Sequence, residues 1–188
     1  MRIISGTAKG KKILLPADKK TRPMKDMVRE SIFNILNHSS LLNKELKNSI
    51  ILDLFSGTGS FGLEAISRGV KKVIFFDDYK PAIDMLIRNL NNLKFKKKAE
   101  VYKKDIYKKG SLKKLSNKFD LIFLDPPFKD DKLKYLMNLL YDPNILSSSS
   151  LVIIHRNKKS LDEIQKNFKI VREEIYGSSK IIFGFFIF

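Results

Sequence analysis

The segment best suited to chemistry is Asp125-Pro126-Pro127-Phe128, which follows the apolar run from Leu121 to Leu124. Two prolines fix φ twice and remove two backbone donors, so the carbonyl groups around them stay free and rigidly aimed. The Asp125 carboxylate and the Pro126 carbonyl can then accept hydrogen bonds from an exocyclic amine, while Phe128 offers a flat face for an extruded base. This pattern predicts a catalytic motif for group transfer to a planar amine, in which positioning carries most of the reaction. An ordinary Asp-Pro turn is the plainer alternative.

A glycine-rich loop typical of nucleotide-binding sites lies earlier in the chain, between Asp53 and Gly62. Gly57, Gly59 and Gly62 allow a tight turn and a close approach of the backbone to a ligand. The helix that follows presents free N–H groups there. Because the carboxylate of Asp53 would repel a pyrophosphate and attract a cation, the loop favours S-adenosylmethionine over a nicotinamide or flavin dinucleotide.

Acidic residues at the ends of the next two strands extend this predicted cofactor site. Asp77 and Asp78 close the second strand, where a carboxylate can accept hydrogen bonds from ribose hydroxyls. Asp105 closes the third strand and could accept a hydrogen bond from the adenine amino group, although a plain surface aspartate is the simpler interpretation of that residue alone. The complete predicted cofactor-binding set is Asp53, Phe55, Ser56, Gly57, Thr58, Gly59, Gly62, Asp77, Asp78, Asp105 and Ile106.

Alternating strands and helices must bring these separated residues together. Apolar runs and periodic apolar positions predict strands over residues 50–55, 73–76, 99–103, 119–124, 151–155, 170–176 and 180–188, and helices over 24–37, 59–68, 81–93, 131–140 and 161–167. This βα alternation predicts an α/β, Rossmann-like sheet that is mostly parallel and covered by helices on both faces. The two consecutive strands at the end predict an antiparallel C-terminal hairpin at one edge.

The N-terminal segment is predicted to be a small β-hairpin and helix extension. Strands over residues 2–4 and 12–15 flank a turn, and Arg22-Pro23 precedes the first helix. Residues 1–40 are predicted to contact RNA, and residues 41–188 to form the cofactor-binding domain. A solvated basic face is the alternative for the positive residues of this extension. The predicted RNA-binding residues are Arg2, Lys9, Lys11, Lys12, Arg22, Lys25 and Arg29.

The overall composition supports nucleic acid as the partner and excludes several other classes. A net charge of +17 on 188 residues attracts polyanions. The chain has no cysteine, which excludes disulfides and thiolate metal sites, and we expect its two histidines, His38 and His155, to be structural. The N-terminus lacks the features of a signal peptide, and the longest apolar run is too short to span a membrane. We therefore expect a soluble, cytoplasmic, monomeric protein without a metal.

Together these motifs resemble one known family. The DPPF segment resembles the (D/N)PP(Y/F) motif of amino-group methyltransferases. The opening of the chain resembles that of the RsmD-type bacterial 16S rRNA guanine-N2 methyltransferases, on the residues Met1–Gly6, Gly10-Lys11-Lys12, Arg22-Pro23, Asp26, Val28-Arg29-Glu30 and Phe33-Asn34. The resemblance implies S-adenosylmethionine as cofactor and the N2 amine of one guanine in 16S rRNA, free or in an assembling subunit, as substrate.

The resemblance also implies roles for individual residues. Asp53, Gly57 and Gly59 would belong to the cofactor loop, Asp77 would bind ribose and Asp105 adenine, and the DPPF segment would hold the target base. The chain departs from the family pattern at three positions, because Met24 stands where threonine is usual, Met27 where arginine is usual and Asp77 where glutamate is usual.

Several other functions share part of this pattern. An adenine-N6 methyltransferase acting on DNA or RNA would carry the same motif, although the chain leaves little room for a DNA-reading domain. Protein-glutamine methyltransferases usually have asparagine first in the motif. A non-catalytic basic RNA-binding or ribosome assembly protein could keep the fold, but the glycine loop and Asp125 argue against it. A dinucleotide oxidoreductase fits least, since nothing suggests a hydride-transfer site.

Overall fold

The fold is known from a computed structural model, which describes residues 1–18, 24–108, 110–113, 115 and 118–188. The helices are α1 (Asp26–His38), α2 (Ser60–Ser67), α3 (Lys80–Asn92) and α4 (Leu133–Leu140), with 3-10 turns at Leu46–Asn48 and Lys96–Lys98. The strands are β1 (Ile50–Leu54), β2 (Lys72–Asp77), β3 (Ala99–Lys103), β4 (Leu121–Leu124), β5 (Leu151–Asn157), β6 (Phe168–Tyr176) and β7 (Ser179–Phe186). Within these ranges, no helix is both long and apolar enough to cross a membrane.

The strands form one sheet in the order β3-β2-β1-β4-β5-β7-β6. Strands β1 to β5 pair in parallel, and β7 pairs antiparallel with both β5 and β6. The predicted Rossmann-like α/β fold with an antiparallel C-terminal hairpin is confirmed. Strand β1 lies between β2 and β4, so the chain moves outward in one direction to β3 and then crosses to β4 on the other side. A crevice forms at the carboxyl ends of strands at such a point, and ligands bind there in α/β sheets.

Alternate residues of the central strands pack into two apolar layers, one on each face of the sheet. On one face, Ile51 and Phe123 pack with residues of α1, α2 and α3 and of the N-terminal segment. On the other face, Leu52 and Leu124 pack with residues of α4. Because β1 and β4 are covered on both faces, their sequences do not alternate between apolar and polar residues, and Asp53 of β1 is the one polar residue in the two strands.

The N-terminal segment pairs as a hairpin, but over fewer residues than the strands expected at 2–4 and 12–15, with hydrogen bonds from the amide of Ile3 to the carbonyl of Lys11 (2.9 Å) and from the amide of Ile13 to the carbonyl of Met1 (3.0 Å). One isolated antiparallel bridge joins Arg2 to Lys12. Side chains of the neighbouring helices accept hydrogen bonds from backbone amides that a longer strand pair would use. The Glu64 carboxylate of α2 accepts hydrogen bonds from the amides of Ile4 (2.7 Å) and Ser5 (2.9 Å). The segment is therefore bound to the helical layer as well as to itself. Arg22 and Pro23 lie outside the described residues.

Arg29 is buried, so the prediction that it contacts RNA is wrong. The side chain has no exposed surface and lies in α1 between two carboxylates, Asp26 at 3.0 Å and Glu64 at 3.7 Å. Its Nη2 also donates to the carbonyl of Arg2 at 2.6 Å. Burial lowers the pKa of Arg29 from its ordinary value, while the two carboxylates oppose that shift. Arg29 therefore holds α1 and the N-terminus against α2, and no nucleic acid can reach it.

The helix expected over residues 161–167 is absent, since residues 161–165 have no regular structure. Leu161 is fully exposed, so the segment has little apolar face to bury. Asp162 is instead drawn to the buried Arg156 of β5, whose Nε and Nη2 donate to its two carboxylate oxygens at 2.8 and 2.7 Å. A bidentate ion pair of this kind stabilises the loop conformation more than local propensity would stabilise a helix over the same residues. The other predicted elements differ from the observed ones by a few residues at their ends.

Candidate active site

A cavity of about 670 Å³ opens at the carboxyl ends of β1 and β4, where the strand order reverses. Its size is typical of small-molecule sites. It brings together the end of β1, the end of β2, the DPPF segment and the turn of the C-terminal hairpin. The lining residues are Met24, Lys25, Phe55, Ser56, Gly57, Thr58, Ser60, Asp77, Asp78, Tyr79, Ala82, Asp125, Pro126, Pro127, Phe128, Lys129, His155, Ser178 and Ser179.

The glycine loop leaves β1 in a tightly curled conformation. Phe55 has a φ of 59°, which is rare for a bulky residue, and Gly59 has a φ of 82°. A Cβ on Gly59 would also lie 2.4 Å from a side-chain carbon of Leu86. Strained backbone of this kind persists only where the surrounding structure holds it, and it concentrates at ligand-binding sites. The loop residues Phe55, Ser56, Gly57 and Thr58 line the cavity.

Gly62 serves helix packing and does not line the cavity. A Cβ at this position would lie 2.3 Å from the ring of Phe75 on β2. The third glycine of such loops commonly allows this close approach of helix to strand. Gly62 also donates its backbone N–H to the carboxylate of Asp53 at 3.0 Å, which ties the first turn of α2 to β1.

Two polar groups on the cavity wall fit a ligand with hydroxyl and amino groups. The hydroxyl of Ser56 is buried and has no hydrogen-bond partner among the described residues. A buried polar atom of this kind usually has a ligand or water as its partner. Asp77, at the end of β2, accepts hydrogen bonds from the amides of Gly57 (2.7 Å) and Tyr79 (2.9 Å). These bonds fix its carboxylate at the wall, next to that of Asp78.

Acidic groups dominate the electrostatics of this region. Asp53 is buried beneath the loop, and burial raises its pKa well above the ordinary value, with further contributions from the charges of Asp125 and Asp77. Burial also raises the pKa of Asp77. Carboxylates that disfavour one another's ionisation become more stable when a cation lies between them. The site therefore fits a positively charged ligand and disfavours a pyrophosphate.

At the end of β4, Asp125 is held by a residue expected to be structural. Nδ1 of His155, on β5, lies 2.8 Å from Oδ1 of Asp125, and Nε2 lies 2.9 Å from Oγ of Ser179. The His155 side chain is 6% exposed and that of Asp125 is 25% exposed. His155 therefore belongs to the site. Its position at the carboxyl end of the strand beside β4 was the signal in the sequence that could have revealed it.

The segment that follows Asp125 is also braced from β5. Nη1 of the buried Arg156 donates to the carbonyl of Pro127 at 3.0 Å, and its Nη2 donates to the carbonyl of Asp130. Phe128 is partly exposed and packs edge-on against His155, with ring centroids 5.3 Å apart and an interplanar angle of 80°. The aromatic ring therefore faces the cavity from a rigid support.

Some predicted cofactor residues lie away from the cavity. Among the described residues, the lining does not include Asp53, Gly59, Gly62, Asp105 or Ile106. Asp105 accepts the amide of Tyr107 at 2.9 Å in the turn after β3. Ile106 is buried in the apolar layer that contains α4. The assignment of Asp105 to adenine stays a prediction.

The predicted RNA-binding residues lie in different parts of the structure. Lys25 lines the cavity, as does Lys129, which the sequence did not single out. The side chains of Arg2, Lys9, Lys11 and Lys12 are exposed. The turn that carries Lys9 rests on the carboxyl end of α2, where the amide of Thr7 donates to the carbonyl of Ser67 at 2.8 Å. Two residues near the start of α1 depart from the family pattern. Met24 is buried at the cavity wall, and Met27 is exposed.

Comparison with known proteins agrees with this geometry. A family model described as conserved hypothetical protein 95 matches residues 1–185. The chain is 36% identical to YlbH of Bacillus subtilis, provisionally named an rRNA methyltransferase, over 94% of each chain. It is 33% identical to the ribosomal RNA small subunit methyltransferase D of Haemophilus influenzae, over 94% of this chain and 89% of that protein.

A solved structure gives the same result. The Escherichia coli protein yhhF, for which methyltransferase is a provisional assignment, superposes with a TM-score of 0.80 and 28% identity, over 100% of this chain and 98% of its own. The similarity thus extends through the N-terminal segment, the sheet and the C-terminal hairpin. The chain belongs to the family described as conserved hypothetical protein 95, which includes the RsmD-type ribosomal RNA small subunit methyltransferases.

Proposed function

We propose that this protein transfers a methyl group from S-adenosylmethionine to the exocyclic N2 amine of a guanine in 16S rRNA. The observation that carries the proposal is the position of Asp125. This residue directly follows β4 and lines the same cavity as the glycine loop at the end of β1. The names of the relatives support small-subunit rRNA as the substrate. The guanine N2 target comes from the resemblance of the DPPF motif and the N-terminal residues.

The residues at the ends of β1 and β2 fit the cofactor. When bound, S-adenosylmethionine supplies an activated methyl group on a positively charged sulfur. The unpartnered hydroxyl of Ser56 and the carboxylates of Asp77 and Asp78 would bind its polar groups. The buried charge of Asp53, together with Asp77 and Asp125, favours the positive charge of this ligand over a neutral analogue.

The residues after β4 would hold the amine. Asp125 and the carbonyl of Pro126 accept hydrogen bonds from its two N–H groups, which directs the nitrogen lone pair toward the cofactor side of the cavity. The Phe128 ring stacks on the base and keeps its plane fixed. The nitrogen gives up one proton when it gains the methyl group, and the free oxygen of the Asp125 carboxylate is the base that receives it.

Exposed basic residues would hold the RNA backbone. Lys25 and Lys129 stand at the cavity, while Arg2, Lys9, Lys11 and Lys12 extend the positive surface over the N-terminal segment. Phosphate contacts of this kind set register and orientation and leave the choice of base to the pocket. We infer further that the protein acts as a monomer, in the cytoplasm and without a metal.

The test is methyl transfer from labelled S-adenosylmethionine to rRNA extracted from cells that lack the enzyme. We expect label in the 16S fraction, and we expect Asp125→Ala to abolish it while cofactor binding changes less than severalfold. Asp131→Ala is the matched control, because Asp131 is exposed a few residues further along the same connection. Transfer by Asp125→Ala at the wild-type rate would remove Asp125 from the proposed mechanism.

A further inference from the structure

Asp125 lacks the local support that other aspartates of this chain have. Asp77, Asp105, Asp130 and Asp142 each accept a hydrogen bond from the backbone amide two residues later. Such a bond fixes an aspartate side chain to its own turn. Asp125 is followed by two prolines, which have no N–H group to donate. Its orientation must therefore come from a group distant in the sequence.

His155 supplies that group from the neighbouring strand. Its Nδ1 is 2.8 Å from Oδ1 of Asp125, and its Nε2 is 2.9 Å from Oγ of Ser179, the first residue of β7. Both ring nitrogens are thus paired, and the imidazole is almost entirely buried. The antiparallel register that sets Asn157 opposite Ser179 places the serine hydroxyl within reach of the ring.

The chemistry of the three groups limits where the ring protons can lie. An ionised carboxylate can only accept hydrogen bonds, so Nδ1 must carry the proton that joins it to Asp125. In a neutral imidazole Nε2 is then an acceptor, and the hydroxyl of Ser179 donates to it. The partner on one ring nitrogen thereby sets the protonation of the other.

We propose that His155 is a positioning residue for Asp125, protonated at Nδ1 and held in place by Ser179. Its N–H group donates a hydrogen bond to Oδ1 of Asp125, so Oδ2 is left to accept a hydrogen bond from the amine of the substrate. The same ring supports Phe128 edge-on, so one residue of β5 fixes both the acceptor of the amine and the surface for the base. The C-terminal hairpin, through Ser179, is then part of the active site.

The catalytic role of this arrangement rests on the proposed function, but the first test of the arrangement does not depend on activity. The chain has two histidines, and His38 is exposed at the end of α1, which provides an internal reference. We expect a long-range ¹H–¹⁵N correlation spectrum of the wild-type protein to show His155 protonated at Nδ1. A ring protonated at Nε2 alone would overturn the proposal.

Two substitutions test the consequence for catalysis. His155→Asn keeps an N–H donor near the position of Nδ1, whereas His155→Leu removes it. We expect kcat to fall about tenfold to a hundredfold in His155→Leu, as for a misplaced catalytic group, with the Kd for S-adenosylmethionine within twofold of wild type. His155→Asn should recover most of kcat, and His38→Asn should change nothing. Equal losses in His155→Asn and His155→Leu would contradict the positioning role.

The two tests separate this proposal from the proposed function. If wild-type protein shows the expected tautomer but methylates no rRNA, the target is wrong and the Ser179–His155–Asp125 arrangement stands. If rRNA is methylated but the tautomer differs, the positioning role is wrong and the activity stands. Thermal melts of each variant show whether a loss of activity follows a loss of folded protein.

Discussion

Ionisation of Asp53 is disfavoured in the folded protein when the cavity holds no cation. Burial raises its pKa, and the carboxylates of Asp125 and Asp77 raise it further, while the amide of Gly62 offers partial compensation. A carboxyl group whose pKa is higher in the folded state than in the unfolded state contributes stability that is lost as pH rises. The loss begins near the unfolded value, about 3.9, and is complete above the folded value.

Asp53→Asn should therefore stabilise the protein and weaken cofactor binding. The amide oxygen can still accept from Gly62, but the buried charge is gone. We expect the Tm of the variant to exceed that of wild type by an amount that grows as pH rises from about 4 to about 7. Each kcal/mol shifts Tm by roughly 2–4 °C at this chain length. Titration calorimetry at neutral pH should show weaker binding of S-adenosylmethionine.

Asp131→Asn is the control for this experiment, because Asp131 is exposed and outside the cavity. It should leave both the Tm and its dependence on pH unchanged. A variant Asp53→Asn that is less stable than wild type at neutral pH would show that its charge is already compensated in the folded protein.

The residues of the site differ in how far the sequence could reveal them. Asp125 and Phe128 stand in a contiguous motif, and Asp77 follows the glycine loop at a regular spacing, so all three were predictable from neighbours in the chain. His155 has its partners 30 and 24 residues away, on β4 and β7. No local pattern predicts these two contacts, and only the position of His155 at the carboxyl end of a predicted strand points to the site. The prediction for Arg29 was wrong because its ion-pair partner Glu64 is also distant in the sequence.

At the scale of elements, α1 is attached to α2 through one buried polar cluster. The carboxylate of Glu64 accepts hydrogen bonds from the amides of Ile4 and Ser5 and pairs with Arg68 at 2.8 Å and Arg29 at 3.7 Å. Breaking a buried pair by removing one partner is strongly destabilising, since the other charge stays buried. The cluster connects the N-terminal segment and α1 to the helix that starts at the glycine loop.

Arg29→Met should lower the free energy of unfolding by about 3 kcal/mol, because it leaves the Glu64 charge with weaker compensation. Urea denaturation measures this change. Lys25→Met is the matched substitution one turn earlier, at an exposed position on the cavity wall. It should leave stability unchanged and weaken RNA binding.

Filter binding of folded protein to rRNA at several salt concentrations distinguishes the two roles. Arg29→Met should keep the wild-type dependence of RNA affinity on salt, whereas Lys25→Met should reduce it. A reduced salt dependence in Arg29→Met, with stability unchanged, would mean that Arg29 does reach the RNA.

Most elements of the sheet followed from apolar patterning, and the exceptions share one cause. Strands β1 and β4 were evident because burial on both faces requires mostly apolar runs. Strands over residues 2–4 and 12–15 and a helix over 161–167 were predicted from short local patterns. Side chains from elsewhere bind these segments, Glu64 in the first case and Arg156 in the second, so the hairpin is short and the helix does not form. Such interactions outweigh local propensity and leave no periodic signal.

At the scale of the whole molecule, a net charge of +17 surrounds a cavity that is lined, in the described part of the chain, by three aspartates and two lysines and that has the buried Asp53 beneath its glycine loop. The two features serve different partners. A positive surface attracts the phosphates of RNA, and the acidic interior selects a small cation. The division of the chain into an RNA-contact segment, 1–40, and a cofactor domain, 41–188, stays a prediction, although both parts share one apolar layer.

Charge reversal of Lys9, Lys11 and Lys12 to glutamate should weaken RNA binding and flatten its salt dependence. For every phosphate that the protein no longer neutralises, the slope of log K against log salt becomes shallower by about 0.7 to 0.9. The control reverses Lys94, Lys96 and Lys97, which are exposed before β3 and change the net charge equally. Equal effects of the two triple variants would show that net charge, rather than the N-terminal surface, governs binding.

The most direct test of the central claim is the identity of the methylated nucleoside. Total rRNA from a strain lacking the enzyme is incubated with the purified protein and labelled S-adenosylmethionine, digested to nucleosides and separated by chromatography with mass detection. The proposed function predicts label in N2-methylguanosine from the 16S fraction, absent with Asp125→Ala. Label in N6-methyladenosine would contradict the assignment to guanine and establish an adenine methyltransferase on the same fold.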